Sequence, residues 1–180
     1  MDHSSHTFFA PCPRGLEAVL RAELITLGAV DPTATPGGVG FSGSLTLCYR
    51  ANLESRIASR ILWRVAQGPY QSEEDLYQLA VNLPWHEWFL PTHTIKVKVS
   101  AQQCPLQSLN FATLRIKDAI CDRFIKVSSS RPSVDTIRPD ILIVAFLDER
   151  TATLYLDTSG EPLFKRGLRQ RMSEAPLRGN

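Results

Sequence analysis

The spacing of apolar residues predicts an amphipathic helix near the start of the chain. Its apolar positions recur on one helical face and are Leu16, Val19, Leu20, Leu24 and Leu27. Gly28 follows directly, and glycine commonly ends a helix because it adopts the left-handed conformation at little steric cost. We therefore predict a helix that buries one face and ends at Leu27.

Short alternating or β-branched segments around this helix predict strands. They span residues 8–10, 31–35, 39–41 and 57–66. Residues 45–53 fit both the helical and the strand period, and we favour a helix because Ser44 is a suitable N-cap. The resulting order, β-α-β-β-α-β, is that of a ferredoxin-like unit.

A second unit is predicted after residues 67–69, where glycine and proline interrupt the pattern. Ser72 and Asp75 have the spacing of a capping box, and Pro84 ends the helix that they begin. An aromatic group follows, formed by Trp85, Trp88 and Phe89. These rings could stack on bases, but we favour a short linker helix that packs between the two units.

The rest of the second unit combines strands with the longest predicted helix. Lys96 and Lys98 alternate with isoleucine and valine over residues 95–99, which is typical of a half-buried strand. The long helix, a buried strand and its hairpin partner are predicted at residues 108–127, 141–147 and 151–156. The second unit therefore has the order α-β-α-β-β.

Charge is distributed unevenly, although the formal net charge is only +2. Residues 1–90 carry more acidic than basic side chains, whereas residues 91–180 carry more basic than acidic ones. A basic half favours a polyanionic partner such as nucleic acid. Composition is otherwise that of a globular protein, with 43% hydrophobic and 21% charged residues.

Several kinds of protein and site are not indicated. The longest apolar run, residues 141–147, is far shorter than the ~20 residues that cross a bilayer, and residues 1–6 lack a secretion signal. We therefore expect a cytoplasmic protein without a membrane partner. The four cysteines form no CxxC pair and the four histidines have no ligand spacing, so we expect no metal site. No nucleophile–base or carboxylate pair stands out, so no catalytic residue is predicted.

Residues 38–43 match the letters of the dinucleotide-binding pattern GxGxxG. The segment before them is a poor core strand, and Arg56 and Arg60 lie near the position where an acidic residue would bind ribose. A glycine-rich strand with its turns is the favoured interpretation. A nucleotide-binding enzyme that uses Gly38–Gly43 is the less favoured alternative.

The remaining candidate site is a set of basic residues. The densest cluster follows the last predicted strand and comprises Lys165, Arg166, Arg169 and Arg171. Arg131 and Arg138 flank a proline-bounded loop, and Lys117 lies on the long helix. Guanidinium groups bind phosphate oxygens in pairs and lysine adds a point charge, so we predict that these residues bind RNA.

Four segments, in order, carry a resemblance to a known family. They read FFAPCPRGLEAVLRAEL, GGVGFSGSLTLCYRANLESRIASR, LRIKDAICDRF with RPSVDT, and LYLDTSGEPLFKRGLR ending in APLRGN. Together they resemble the N-terminal part of the RlmL-type 23S rRNA guanine-N2 methyltransferases over residues 7–180. The segment CPLQSLNF before the long helix departs from the usual pattern of that family.

The resemblance implies a ferredoxin-like domain followed by a THUMP domain, which is an RNA-binding module. The positions that match are Lys117, Asp118, residues 131–135, Lys165, Arg166, Gly167 and Arg169, and the last group would face RNA. In the family a methyltransferase domain follows, which binds S-adenosylmethionine and has an Asn-Pro-Pro-aromatic motif. This sequence has no such motif, so the resemblance implies that it has no methyl-transfer activity of its own.

We therefore expect an α+β protein with a ferredoxin-like domain at residues 1–68 and a THUMP domain at residues 69–170. Residues 171–180 would begin a linker to a methyltransferase domain. The expected function is recognition of ribosomal RNA for a methyltransferase domain in cis or in trans. The alternatives are a stand-alone adaptor that delivers RNA to a separate enzyme and the nucleotide-binding enzyme described above.

Overall fold

The computed structural model describes residues 4–160, which form one mixed seven-stranded sheet and five helices. The strands are β1 (His6–Pro11), β2 (Val30–Thr35), β3 (Gly38–Gly43), β4 (Leu62–Pro69), β5 (Ile95–Ala101), β6 (Ile141–Leu147) and β7 (Thr151–Asp157). The helices are α1 (Glu17–Leu27), α2 (Leu45–Glu54), α3 (Glu73–Val81), α4 (Trp85–Trp88) and α5 (Leu109–Ser128). The predicted α+β class is confirmed.

The first unit has the predicted order β1-α1-β2-β3-α2-β4. Helix α1 ends at Gly28, whose φ of 102° lies in the left-handed region. Helix α2 begins after Ser44, whose Oγ accepts a hydrogen bond from the backbone N–H of Leu47 at 3.2 Å. Local caps therefore determine where both helices start or stop.

Strand β4 begins at Leu62, later than predicted. The backbone N–H groups of the preceding segment donate hydrogen bonds that are not part of the strand ladder. The N–H of Arg56 donates to Glu23 Oε1 at 2.9 Å, and the N–H of Ser59 donates to the carbonyl of Pro11 at 2.8 Å. These partners hold the segment as a loop. The apolar composition on which the prediction rested does not reveal such long-range partners.

The second unit has the order α3-α4-β5-α5-β6-β7. Ser72 and Asp75 form the predicted capping box of α3. Helix α5 begins after Ser108, whose Oγ accepts a hydrogen bond from the N–H of Phe111 at 3.2 Å. This helix connects β5 to the parallel strand β6, which then pairs with β7 as an antiparallel hairpin.

Strand β4 joins the two units into one sheet. The strand order is β2-β3-β1-β4-β7-β6-β5, so β4 pairs with β1 of the first unit and β7 of the second. The domain boundary predicted near Gly68 falls within this strand. The division at that residue stays a prediction.

The helices cover one face of the sheet and leave the other open. In β6 the alternate residues buried in the helical core are Ile141, Ile143, Ala145 and Leu147. The intervening residues point to the open face, where Phe146 is 36% exposed. Successive side chains of a pleated strand point to opposite faces of the sheet. Strand β6, which the sequence predicts as buried, is therefore fully buried on one face only.

Trp63 connects the two halves of the core. Its side chain packs against both hydrophobic clusters, and its ring lies 5.2 Å from that of Trp88 in α4. Trp85 is fully buried, and its indole N–H donates to the carbonyl of Ala80 at 2.7 Å. The aromatic group thus packs in the core of the second unit, and Trp88 connects it to Trp63 on the strand that both units share.

A polar network connects the end of β7 to α2. The hydroxyl of Thr158 donates to the carbonyl of Ile61 at 2.6 Å and accepts from Asn52 Nδ2 at 3.0 Å. Asn52 Oδ1 in turn accepts from the hydroxyl of Ser159 at 2.9 Å. The network therefore holds residues 158–159, which follow β7, against the first unit.

Candidate nucleic-acid interface

The open face of the sheet forms a concave surface, and the cavity that it encloses has a volume of about 1610 Å³. Its floor comes from the strands of both units and includes Phe9, Leu62, Leu142, Val144 and Tyr155. The loop at residues 136–140 borders it on one side, and the loop containing Ser59 and Arg60 borders it on another. This volume is larger than the ~300–1,000 Å³ that is typical of small-ligand pockets. The size of the cavity therefore favours an extended ligand.

Basic side chains outnumber acidic ones along this concave surface. The basic residues that line it are Arg14, Arg60, Lys96, Lys98 and Arg138. The acidic ones are Asp140 and Asp157. Asp157 is buried and paired with the Arg60 guanidinium, and Asp140 accepts a hydrogen bond from the N–H of Thr94. The face therefore suits an anionic ligand.

Two lysines of the edge strand β5 point to the open face. The Lys96 ammonium donates to the carbonyl of Thr136 at 3.2 Å, whereas Lys98 is exposed. The sequence pattern predicts both lysines only on the solvent side of a half-buried strand. Their spacing of two residues was nevertheless a signal, because such residues share one face of a strand.

One row across the sheet combines cationic and aromatic side chains. Lys98, Val144, Tyr155 and Arg64 are register partners on β5, β6, β7 and β4. The Tyr155 ring lies 6.3 Å from that of Phe9, and Arg64 donates to Thr7 Oγ1 at 3.3 Å. Burial raises the pKa of the Tyr155 hydroxyl, and nearby Arg64 opposes this rise. The hydroxyl is therefore neutral at pH 7.

Of the predicted RNA-binding residues, Arg138 lines the concave surface. Its loop is held by Asp135, whose Oδ1 accepts hydrogen bonds from the N–H groups of Arg138 and Ile137 at 3.0 and 2.9 Å. The same loop is tied to β5, since the N–H of Ile95 donates to the carbonyl of Ser133 at 2.9 Å. Tertiary hydrogen bonds thus determine where Arg138 lies.

Lys117 and Arg131 lie elsewhere, near Cys121 of α5. The Lys117 ammonium pairs with Asp118 at 2.8 Å. Burial raises the pKa of the Cys121 thiol, and both Lys117 and Arg131 act against that rise. Neither cation lines the concave surface. The structure therefore groups these two residues and separates them from Arg138.

The densest predicted cluster lies outside the described residues. It comprises Lys165, Arg166, Arg169 and Arg171. The described chain reaches Gly160, which lines the concave surface. The role of the cluster stays a prediction.

The glycine-rich residues 38–43 form β3, which pairs with β1 and with β2. A Cβ on Gly38 would lie 2.6 Å from the carbonyl oxygen of Ala10, and one on Gly43 would lie 2.2 Å from Leu47 Cδ2. These glycines allow close packing and do not form a strand-to-helix phosphate loop. The observed local structure therefore does not have the geometry on which the nucleotide-binding alternative depends.

Other reactive groups in the described chain are held in unreactive settings. Burial raises the pKa of the Cys48 thiol to about 11, so it is protonated at neutral pH. Within residues 4–160, no cluster of three or more histidine, cysteine or acidic side chains could hold a metal ion. In that same range, every helix is too short or too polar to cross a membrane.

Comparisons with known proteins identify two consecutive domains. Residues 7–62 match the RlmL ferredoxin-like domain, and residues 70–157 match the THUMP domain. A curated relative from Aeromonas salmonicida (strain A449), ribosomal RNA large subunit methyltransferase K/L, is 44% identical over 173 residues. That alignment covers 96% of this chain and 24% of the relative, so the chain spans about a quarter of the length of that protein.

Solved structures of longer proteins contain the same fold. A predicted N6-adenine-specific DNA methylase from Listeria monocytogenes has a TM-score of 0.75 at 27% identity, over 97% of this chain and 46% of that one. The putative methyltransferase SMU.472, solved with SAH, has a TM-score of 0.74 at 28% identity, over 93% of this chain and 45% of that one. The two domain matches and the curated relative show that the chain belongs to the RlmL-type methyltransferase family and has the ferredoxin-like and THUMP domains of its N-terminal region.

Proposed function

We propose that this chain binds RNA on its concave face and positions a ribosomal RNA for methylation. THUMP domains bind RNA, and the Aeromonas relative is by name a ribosomal RNA methyltransferase. The observation that carries the proposal is the helix-free concave face, on which basic side chains outnumber acidic ones. A phosphate backbone is the ligand that such a surface attracts most strongly.

Lys96, Lys98 and Arg138 are the phosphate contacts that we assign on the described face. Such contacts set the register and orientation of the RNA without reading its sequence. We add the cluster Lys165, Arg166, Arg169 and Arg171, because it follows Gly160 in the sequence. Lys117 and Arg131 would contact a separate part of the RNA.

Methyl transfer is assigned to a separate methyltransferase domain, in cis or in trans, that uses S-adenosylmethionine. The proposed target is the N2 atom of a guanine in 23S rRNA, in the cytoplasm. Residues 1–68 and 69–170 would be the two recognition domains, with residues 171–180 leading toward the catalytic one. A stand-alone adaptor would use the same RNA-binding face.

The salt dependence of RNA binding tests this proposal. If Lys165, Arg166, Arg169 and Arg171 each displace a counterion from single-stranded RNA, they contribute about −3 to the slope of log K against log salt concentration. The double variant Arg166→Glu/Arg169→Glu should weaken binding and flatten the slope, measured by fluorescence anisotropy with a 23S rRNA fragment. An unchanged slope would remove this cluster from the interface, and no binding by the unmodified chain would overturn the proposed function.

Asp135 provides a second test, because it positions Arg138. Its hydrogen bonds from the N–H groups of Arg138 and Ile137 lower the pKa of its carboxyl group. The charged acceptor is thus present above its ordinary pKa, ~3.9, and is lost only as the pH falls through the lowered value. Asp135→Ala should weaken RNA binding at pH 7 about three- to tenfold.

The matched control is Asp135→Asn, which keeps a side-chain oxygen as acceptor. It should retain RNA affinity within about twofold at pH 7. Equal losses for alanine and asparagine would show that an amide oxygen cannot replace the charged acceptor in this turn, and an unchanged affinity for Asp135→Ala would show that the turn does not position Arg138 for RNA.

A further inference from the structure

We infer that the concave face holds an unpaired stretch of RNA, whose bases stack on Phe9, Tyr155 and Phe146. This inference rests on the proposed function and adds the class of RNA. Each of the three aromatic residues lies on the helix-free face and lines the concave surface. Aromatic rings bind bases of any sequence, because every base has a π-face.

The three rings lie on different strands at adjoining positions. Phe9 belongs to β1 and its ring centroid lies 6.3 Å from that of Tyr155 on β7. Tyr155 is the register partner of Val144, so Phe146 is its diagonal neighbour on β6. Diagonal neighbours on one face lie within reach of aromatic side chains. The rings therefore form an aromatic stripe (Phe9, Tyr155 and Phe146) across the middle of the sheet.

Cations lie at one end of the aromatic stripe and within it. Lys96 and Lys98 lie on the edge strand β5, beyond β6. Arg64 is the register partner of Tyr155 on β4, the strand between those of Phe9 and Tyr155. A single strand could place its bases on the stripe and its phosphates toward these cations, since both parts of the nucleotide then find a complementary surface.

A duplex matches this arrangement less well. Its bases are stacked on each other and present only their edges in the grooves, so their faces are not available to aromatic side chains. The phosphates of a duplex would contact the cations, but its bases would not stack on the aromatic stripe. The rings on the open face and the cations are both used only when the bases are unpaired.

Binding of a normal and an abasic oligoribonucleotide tests this inference. The two probes have the same length and phosphate number, and the 180-residue chain is titrated against each by fluorescence anisotropy. The unmodified chain should bind the normal strand about ten- to 100-fold more tightly than the abasic strand. It should also prefer the normal strand to a hairpin duplex of equal charge.

The aromatic stripe is altered with Phe146→Leu and Tyr155→Leu, which keep apolar bulk but remove the ring. Each should weaken binding of the normal strand about fivefold or more and leave the abasic strand within about twofold. Tyr155→Phe, which keeps the ring, should retain the preference for the normal strand over the abasic one. Phe111→Leu, which removes an exposed ring on α5 that does not line the concave surface, is the matched control and should behave like the unmodified chain.

Phe146 is 36% exposed, so its substitution tests stacking even if Tyr155→Leu fails to fold. Equal affinity of the unmodified chain for normal and abasic strands, a preference for the duplex, or equal weakening of both strands by Phe146→Leu would each overturn the inference while the proposed RNA binding stands. Failure of the chain to bind any of the probes would overturn both.

Discussion

The double variant Lys96→Glu/Lys98→Glu is expected to lower RNA affinity by about 100-fold or more at physiological ionic strength. Both lysines project from β5 onto the concave face. A hydrogen bond to a charged group contributes about 1.5–3 kcal/mol, so loss of two phosphate contacts corresponds to at least ~3 kcal/mol. The glutamates also repel phosphate. The slope of log K against log salt should become shallower by about 1.4.

The control for this variant is Lys126→Glu/Arg150→Glu, which makes the same change in net charge. Both control residues are exposed and lie away from the concave surface. Affinity for a 23S rRNA fragment, measured by anisotropy over a range of salt concentrations, should fall much less in the control. Similar losses in the two double variants would show that overall charge attracts RNA and that the concave face is not the interface.

Trp85→Ala is expected to have the largest effect on stability, lowering the free energy of unfolding by about 3–5 kcal/mol. Trp85 is fully buried and lies 5.3 Å, centroid to centroid, from Trp88, which in turn contacts Trp63. Alanine leaves a cavity in the core of the second unit and removes the partner of the Ala80 carbonyl. Such a loss is a large part of the ~5–15 kcal/mol that stabilises a typical domain.

Urea denaturation followed by circular dichroism measures this change. Trp85→Phe, which keeps an aromatic ring but loses the indole N–H, should give a smaller decrease. Leu53→Ala, at a side chain that is 75% exposed, should change the unfolding free energy by no more than about 0.5 kcal/mol. A decrease below about 1 kcal/mol for Trp85→Ala would mean that Trp85 does not stabilise the core as its burial and contacts indicate.

Local sequence signals predicted the elements of this protein well where the governing interaction was itself local. Ser44, Ser72 and Gly28 cap their helices as predicted, because the groups they bond lie within a few residues. The start of β4 was predicted too early, because Glu23 and Pro11 bind the preceding segment from a distance in the chain. The spacing of apolar residues does not reveal hydrogen-bond partners that are distant in the sequence.

The candidate site shows the same division. The basic residues were identified from the sequence by their density, which led to the cluster after Gly160 and to Arg131, Arg138 and Lys117. Arg138 lies on the concave surface, whereas Lys117 and Arg131 lie near Cys121. Lys96, Lys98 and Arg64 belong to no dense basic cluster, because each is isolated among apolar or neutral neighbours in the sequence.

By itself the sequence determined the helices, most of the strands, their order and the α+β class, since periodicity and capping act over a few residues. Only the tertiary structure decided that β4 would join both units into one sheet with all helices on one face. That sheet brings Lys98, Tyr155 and Arg64 into one row although they are far apart in the chain. Strand register and long-range hydrogen bonds depend on the whole fold, and so does the surface that they build.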